Sequence, residues 1–268
     1  MANTNYYVNT ASAGGDGTGG IDVIAGANAA YASLSSAEAA RQGTVNIGDT
    51  VTFICKGTAA DTTSLVFSGW TVNGEVIITS DVSSRHSGIY NTSKYRIEST
   101  SNVITISDNN VRIDYLQAKK TTTNNRRVIL CGSGSTGSRI TRNMLLNDFG
   151  GSASAIQNTA SANLVEIAFN IIDGFPTVYE DSSSQGGLLS WYNNTIVNCA
   201  TVYASTKTNK ATLKNNLIYN STNGITGTVH ADSDYNATDS ATFGTGYSTN
   251  TNDRVSQTFT FVDAGAGD

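Results

Sequence analysis

Ile140-Thr141-Arg142-Asn143-Met144-Leu145 is followed 27 residues later by Ile167-Ala168-Phe169-Asn170-Ile171-Ile172. The cadence is an apolar residue, two of any kind, Asn or Asp, then a largely apolar pair. It returns as Trp191-Tyr192-Asn193-Asn194-Thr195-Ile196 and as Leu213-Lys214-Asn215-Asn216-Leu217-Ile218. Upstream, Val111-Arg112-Ile113-Asp114-Tyr115-Leu116 reads as a first copy, and Asp234-Tyr235-Asn236-Ala237 as a degraded last one. The Asn/Asp positions 114, 143, 170, 194, 216 and 236 are separated by 29, 27, 24, 22 and 20 residues, and a second Asn stands four places on in three copies (Asn147, Asn198 and Asn220).

A unit of this length is too short for the four strands of a propeller blade, and its β-branched, Asn-rich make-up argues against paired helices. It suits the coil of a β-solenoid, in which short strands stack turn upon turn. The column Val111/Ile140/Ile167/Trp191/Leu213 and the column Leu116/Leu145/Ile172/Ile196/Ile218 would each stack at the strand spacing of about 4.8 Å. Five residues apart, they fall on opposite faces of a straight strand, so a bend at the Asn is needed to turn both inward. Asn tolerates left-handed backbone, and its amide can bond to the next coil. The expectation is a stacked ladder of Asn143, Asn170, Asn194 and Asn216, with Asp114 at one end. Arg139 and Glu166, four places before successive ladder positions, are expected to pair, contributing about 0–1 kcal/mol as a surface pair.

Upstream of the repeat, strands are expected at 50–55, 75–80, 94–98, 103–107 and 111–116, separated by Gly, Asn and Ser/Thr turns. Before them, residues 27–41 carry the one helix signal, Ala-rich, with Ser35-x-x-Glu38 as an internal capping box and Gly43 as a stop. A solenoid end exposes strand edges and core, so a covering helix fits there, and residues 258–262 would cover the other end. The expected layout is an N-terminal cap over 1–49, parallel coils over 50–236, and a C-terminal cap or tail over 237–268.

The chain has 268 residues and a net charge of −5, with 36 Thr, 30 Ser, 28 Asn and 26 Gly. Such a composition still carries 12 Tyr and 8 Phe, enough with its Val, Ile and Leu to build a core. A single Pro argues against rigid linkers, and 16 Lys+Arg against 21 Asp+Glu leave no basic block for nucleic acid. No apolar run is long enough to span a bilayer, and the first residues lack the basic and apolar regions of a signal peptide. Cys55, Cys131 and Cys199 are expected as small buried side chains of a chain made in a reducing cytoplasm.

Tyr6-Tyr7-Val8-Asn9, the loop Gly14-Gly15-Asp16-Gly17-Thr18, Ala30-Tyr31-Ala32-Ser33-Leu34 and Gly48-Asp49-Thr50-Val51 follow one another in an order seen elsewhere. The pattern resembles the start of right-handed parallel β-helix proteins of the pectate-lyase-like type. Ser107-Asp108-Asn109-Asn110-Val111-Arg112-Ile113-Asp114 resembles the strand–turn–strand that opens their regular coils. Arg85-His86-Ser87-Gly88 with Asn91-Thr92-Ser93-Lys94-Tyr95-Arg96 is similar to β-helix proteins of tailed bacteriophages and prophages. The resemblance covers roughly residues 6–236 and implies an all-β, single-stranded right-handed β-helix with a short N-terminal capping helix. It is silent on chemistry, because this fold hosts lyases, hydrolases, adhesins and inert spikes. In similar proteins Phe261-Val262-Asp263-Ala264-Gly265-Ala266-Gly267-Asp268 would run on into another strand, so the sequence either ends its solenoid early or is part of something longer.

A polysaccharide-cleaving β-helix needs a carboxyl pair at hydrolase spacing, or a calcium-binding Asp cluster with an Arg base. The densest acids are Asp173, Glu180 and Asp181, with Asp148 one coil away, and Tyr179, Trp191 and Tyr192 would supply a sugar-stacking surface. As loop acids they are otherwise solvated turn residues. Asp16 lacks the further acids of a calcium loop and the Lys-Ser/Thr of a phosphate loop, so it reads as a tight turn. His86 and His230 have no partner at triad or metal spacing. Thr121-Thr122-Thr123 and Thr206-Lys207-Thr208 do not recur in register, which argues against an ice-binding array.

The expected function is a non-enzymatic surface protein of a bacteriophage particle, a capsid decoration or cement protein or a head spike. It would be made in the host cytoplasm without a signal peptide and carried on the virion, with no cofactor and no metal. The strand pattern starts at Tyr6, leaving little room for an N-terminal anchor domain, which favours decoration over a tail-attached spike. Expected partners are other capsid or tail proteins and further copies of the chain, a trimer being the habit of phage surface proteins; neither nucleic acid nor membrane is expected. The alternative is a tail fibre or tailspike that binds or depolymerises host polysaccharide, and a third option is a carbohydrate-binding module, which needs an exposed aromatic strip.

Overall fold

A computed structural model describes residues 1–159, 166–181, 189–205 and 211–260. The chain winds into a parallel β-solenoid of about seven turns with three long sheets and a two-stranded one, Thr44–Val45 with Thr71–Val72. Sheet I stacks Asn3–Asn9, Thr50–Lys56, Glu75–Ser80, Val111–Asp114, Arg139–Thr141, Glu166–Ala168, Leu189–Tyr192 and Ala211–Lys214. Sheet II runs from Ala60–Asp61 through Arg96–Ser99, Gln117–Lys120, Met144–Asn147, Ile171–Asp173, Thr195–Val197 and Leu217–Tyr219 to Ala237–Thr238. Sheet III comprises Leu65–Phe67, Ile104–Ile106, Ile129–Cys131, Ser154–Asn158, Thr177–Asp181, Thr201–Ser205 and Gly224–Ile225. One apolar core fills the tube, and all three cysteines lie in it as buried thiols. Burial pushes the Cys131 and Cys199 thiols up to about 12.

Inward columns are continuous: Ile113, Ile140, Ile167, Trp191 and Leu213 are aligned across sheet I, and Ala118, Leu145, Ile172, Ile196 and Ile218 across sheet II. Both columns are buried, so the chain does change phase between the two sheets. The bend sits one residue earlier than the sequence suggested. Tyr115, Arg142, Phe169, Asn193, Asn215 and Tyr235, each preceding the ladder column, have φ between 56° and 63°. The ladder asparagines therefore do not themselves supply the bend.

That ladder is present and longer than expected. The side-chain oxygens of Asn170, Asn194, Asn216 and Asn236 each accept from the backbone N–H of the asparagine one coil earlier, at 2.9–3.1 Å. Each Asn side-chain amide also donates back to a sheet I carbonyl, as Asn170 does to Ile140 at 2.9 Å. Asp253 closes the C-terminal end, accepting from the Asn236 N–H at 2.8 Å.

Asp114 is not a rung. Register places it opposite Thr141, and Leu116 fills the ladder column, donating its N–H to the Asn143 side-chain oxygen at 3.0 Å. The first copy of the motif is thus slipped by two residues. A slip of two leaves every side chain on its original face, so the apolar pattern cannot detect it. Asp114 instead takes a bidentate bond from Arg142 at 2.7 and 2.8 Å and a third from Thr141 Oγ1 at 2.9 Å.

The helix spans Leu34–Arg41, shorter than 27–41. Ser33 is its N-cap and the capping box is Ser33 with Ser36, in place of Ser35 with Glu38. Glu38 is buried instead, where it accepts from the Trp70 indole at 3.0 Å and the Ser68 N–H at 3.1 Å and so fixes the cap to the first coils. At the opposite end, buried Phe243 and Tyr247 pack with centroids 5.1 Å apart, and Phe259 packs edge-on against Tyr219. Residues 258–260 form no strand, while Phe261 and Val262, like Thr206-Lys207-Thr208, lie outside the described residues.

Candidate functional site

The four candidate carboxylates divide over three environments. Asp173 points outward from sheet II, accepting from the Asn198 side chain at 3.0 Å. Partial burial pushes its carboxyl up from the ordinary range, and the nearby charge of Asp148 adds to this. Asp148, beyond the end of the preceding sheet II strand, pairs with Lys119. Glu180 stands on sheet III, held by Arg127 at 3.2 Å and Ser154 Oγ at 2.9 Å. Asp181 is buried at the end of the same strand. Asp148 and Asp173 are therefore neighbours, and Glu180 and Asp181 belong to another face and to the interior. Pleating separates successive residues of one strand, so closeness in sequence did not make one acidic site.

The stacking surface expected from Tyr179, Trp191 and Tyr192 is also corrected. Tyr179 and Trp191 are buried in the core with Tyr203. The two tyrosine rings stack at 5.5 Å, and Trp191 meets both edge-on at 5.6 and 5.9 Å. Trp191 sits in the inward column of sheet I, where a large apolar ring belongs. Tyr192, one residue on, faces outward.

Around Tyr192 the residues are differently arranged. Its hydroxyl donates to Glu166 at 2.5 Å, which pushes the phenol up to about 12. Its ring meets Phe169 edge-on at 5.7 Å. Glu166 pairs at 3.8 Å with Arg139, as the sequence spacing implied, and Glu75 lies 3.8 Å from both Arg112 and Arg139. A shallow groove beside Tyr192 is lined by Ser190, Thr212, Lys214 and Asn215 as well. The bend column supplies the exposed corner next to it, with Phe169 at 49% and Tyr235 at 58% exposure. Sequence reasoning missed Phe169 and Tyr235; the signal was an aromatic residue immediately before the ladder Asn.

In the earlier coils of the same corner, residues of the 81–95 segment lie over the bend column at Tyr115 and Arg142. Arg85 stacks over the Tyr115 ring at 4.1 Å, Arg142 lies 4.9 Å from the same ring, and the His86 ring nitrogen is 2.9 Å from the Arg142 carbonyl. Burial lowers the His86 pKa. His230 lies 3.5 Å from Asp232. Asp16 closes a tight turn on Thr18, as its loop suggested. Among the described residues no group of three or more His, Cys, Asp or Glu is placed to hold a metal ion, and no helix is long and apolar enough to cross a membrane. Comparison with known protein families, with the curated proteins and with the solved structures finds no match to this chain.

Proposed function

We propose that this chain is a non-enzymatic surface protein of a bacteriophage particle, a capsid decoration protein or head spike built as a rigid rod. One observation carries the reading: the acids that could make a hydrolase are divided between two faces and the interior, and the three outside the interior are engaged by partners. Asp148 is tied to Lys119, Asp173 to Asn198 and Glu180 to Arg127 and Ser154. Their bonds run between coils, where they hold the rod together. The ladder amides bond along the same axis, and a backbone paired from coil to coil offers few sites for local opening. The phage setting rests on the likeness of residues 85–88 and 91–96 to phage β-helix proteins, and partnership with virion proteins and with further copies of the chain follows from it.

Electron cryomicroscopy of the particle carrying this gene is expected to place a solenoid on the head surface. Incubation with host capsular polysaccharide is expected to release no reducing ends. Density on the tail together with released reducing ends would overturn the proposal and favour a depolymerising tailspike, whose carboxyl pair must lie about 5–5.5 or 6.5–9.5 Å apart.

A further inference from the structure

The bend between sheets I and II requires one left-handed residue per coil, and Asn is the inexpensive choice there, as Asn193 and Asn215 show. Phe169 and Tyr235 hold the same conformation, at φ 59° and 63°, with bulky side chains that disfavour it. Burial does not compensate, since both rings are about half exposed. Backbone strain retained at an exposed aromatic position points to use of the ring.

Register gives the rings a geometry. Phe169, Asn193, Asn215 and Tyr235 follow one another in successive coils along one corner, so the two aromatics stand roughly 14 Å apart, three strand spacings. Between them lie two asparagine amides, and beside them runs the groove of Ser190, Tyr192, Thr212 and Lys214. Lys214 is exposed and, among the described residues, is the one charged side chain lining that groove. The neighbouring Asp234 carboxylate feels the Lys214 charge and also accepts from the Tyr235 N–H at 2.9 Å and from the Asn252 backbone and side chain at 3.0 and 2.8 Å. Glu166 is likewise occupied by the Tyr192 hydroxyl.

Half-exposed rings at the two ends, amides and hydroxyls between them and one cation alongside match the surfaces of a sugar polymer that carries carboxylates. Ring faces cover C–H faces of sugars, amides and hydroxyls meet hydroxyls, and the ammonium meets the carboxylate. We propose that this corner binds a carboxylated polysaccharide laid along the solenoid axis, without cleaving it, through Phe169, Tyr192, Lys214, Asn215 and Tyr235. The site is independent of where the protein sits on a particle.

The test is affinity electrophoresis of the full chain in gels containing alginate, hyaluronan or polysialic acid, with neutral dextran as comparison. The wild type is expected to be retarded by at least one carboxylated polymer and not by dextran. Phe169→Asn and Tyr235→Asn place the favoured residue at the bend, so each should keep or raise the melting temperature while weakening retardation at least tenfold. Lys214→Gln should lose the preference for carboxylated over neutral polymer. Arg126→Gln, at an exposed cation on the turn between sheets II and III, should leave retardation unchanged. No retardation by any of the three acidic polymers, equal retardation by dextran, or retardation untouched by both ring replacements would each overturn the proposal.

Discussion

The N-terminal turns and the later ones are held together differently. Strands Asn3–Asn9, Thr50–Lys56 and Glu75–Ser80 are six or seven residues long, with Phe53 between Tyr6 and Trp70 and a helix packed alongside. From Val111 onward the sheet I strands shrink to three or four residues, and the amide ladder begins with the bond from that first short coil, Leu116 N–H to the Asn143 side chain. A short parallel strand offers few ladder hydrogen bonds per coil, so a buried side-chain amide with several coil-to-coil bonds replaces what the backbone no longer supplies. Long strands and a cap at one end, and short strands with a polar spine at the other, are two answers to stacking coils that cannot stand alone.

The contrast can be broken at either end. Phe53→Ala removes a fully buried ring from the long-strand region and should cost about 3–5 kcal/mol in denaturant unfolding, with no effect on ladder amides. Asn170→Leu keeps the volume and deletes bonds to Asn143, Ile140 and Asn194, so it should cost about 1–3 kcal/mol. An unchanged melting temperature would mean that the spine is ornamental. Ser33→Ala removes the helix cap and should cost about 1 kcal/mol, confined to the N-terminal turns by limited proteolysis.

The smallest effect is a matter of pH. Burial raises the Asp173 carboxyl above its unfolded value near 3.9, so the folded state holds its proton more tightly than the unfolded chain does. The stability this lends is present below the unfolded value and is lost as pH rises through the folded one. Asp173→Asn should therefore flatten the fall of the melting temperature as pH rises from the unfolded carboxyl's range. A mutant curve parallel to the wild type would show that the burial of Asp173 carries no linkage.

The repeat made the solenoid legible because a column must stay apolar in every coil, which Ile140, Ile167, Trp191 and Leu213 do. Spacing also exposed the ladder, since an Asn recurring at the same point of an apolar strand has few other reasons to be there. Asp114 was misplaced because a two-residue slip is silent in the inside–outside pattern, and chemical likeness to Asn143 decided the alignment wrongly. Tyr179 and Trp191 were drawn to the surface by their chemistry although Trp191 stands in an inward column, so face had to outrank residue type. The half-exposed corner was hidden for another reason. Phe169 and Tyr235 become a pair only once the bend aligns coils of unequal length, and that alignment belongs to three dimensions.

Hydrogen exchange at the backbone amides of Asn143, Asn170, Asn194 and Asn216 reports most directly on whether the short coils share one polar spine. These amides sit at strand ends, where exchange is ordinarily fast, yet they should be among the slowest in the molecule, and Asn170→Leu should release Asn143 selectively. Exchange at the pace of exposed turns such as Thr123 to Asn125 would contradict the account.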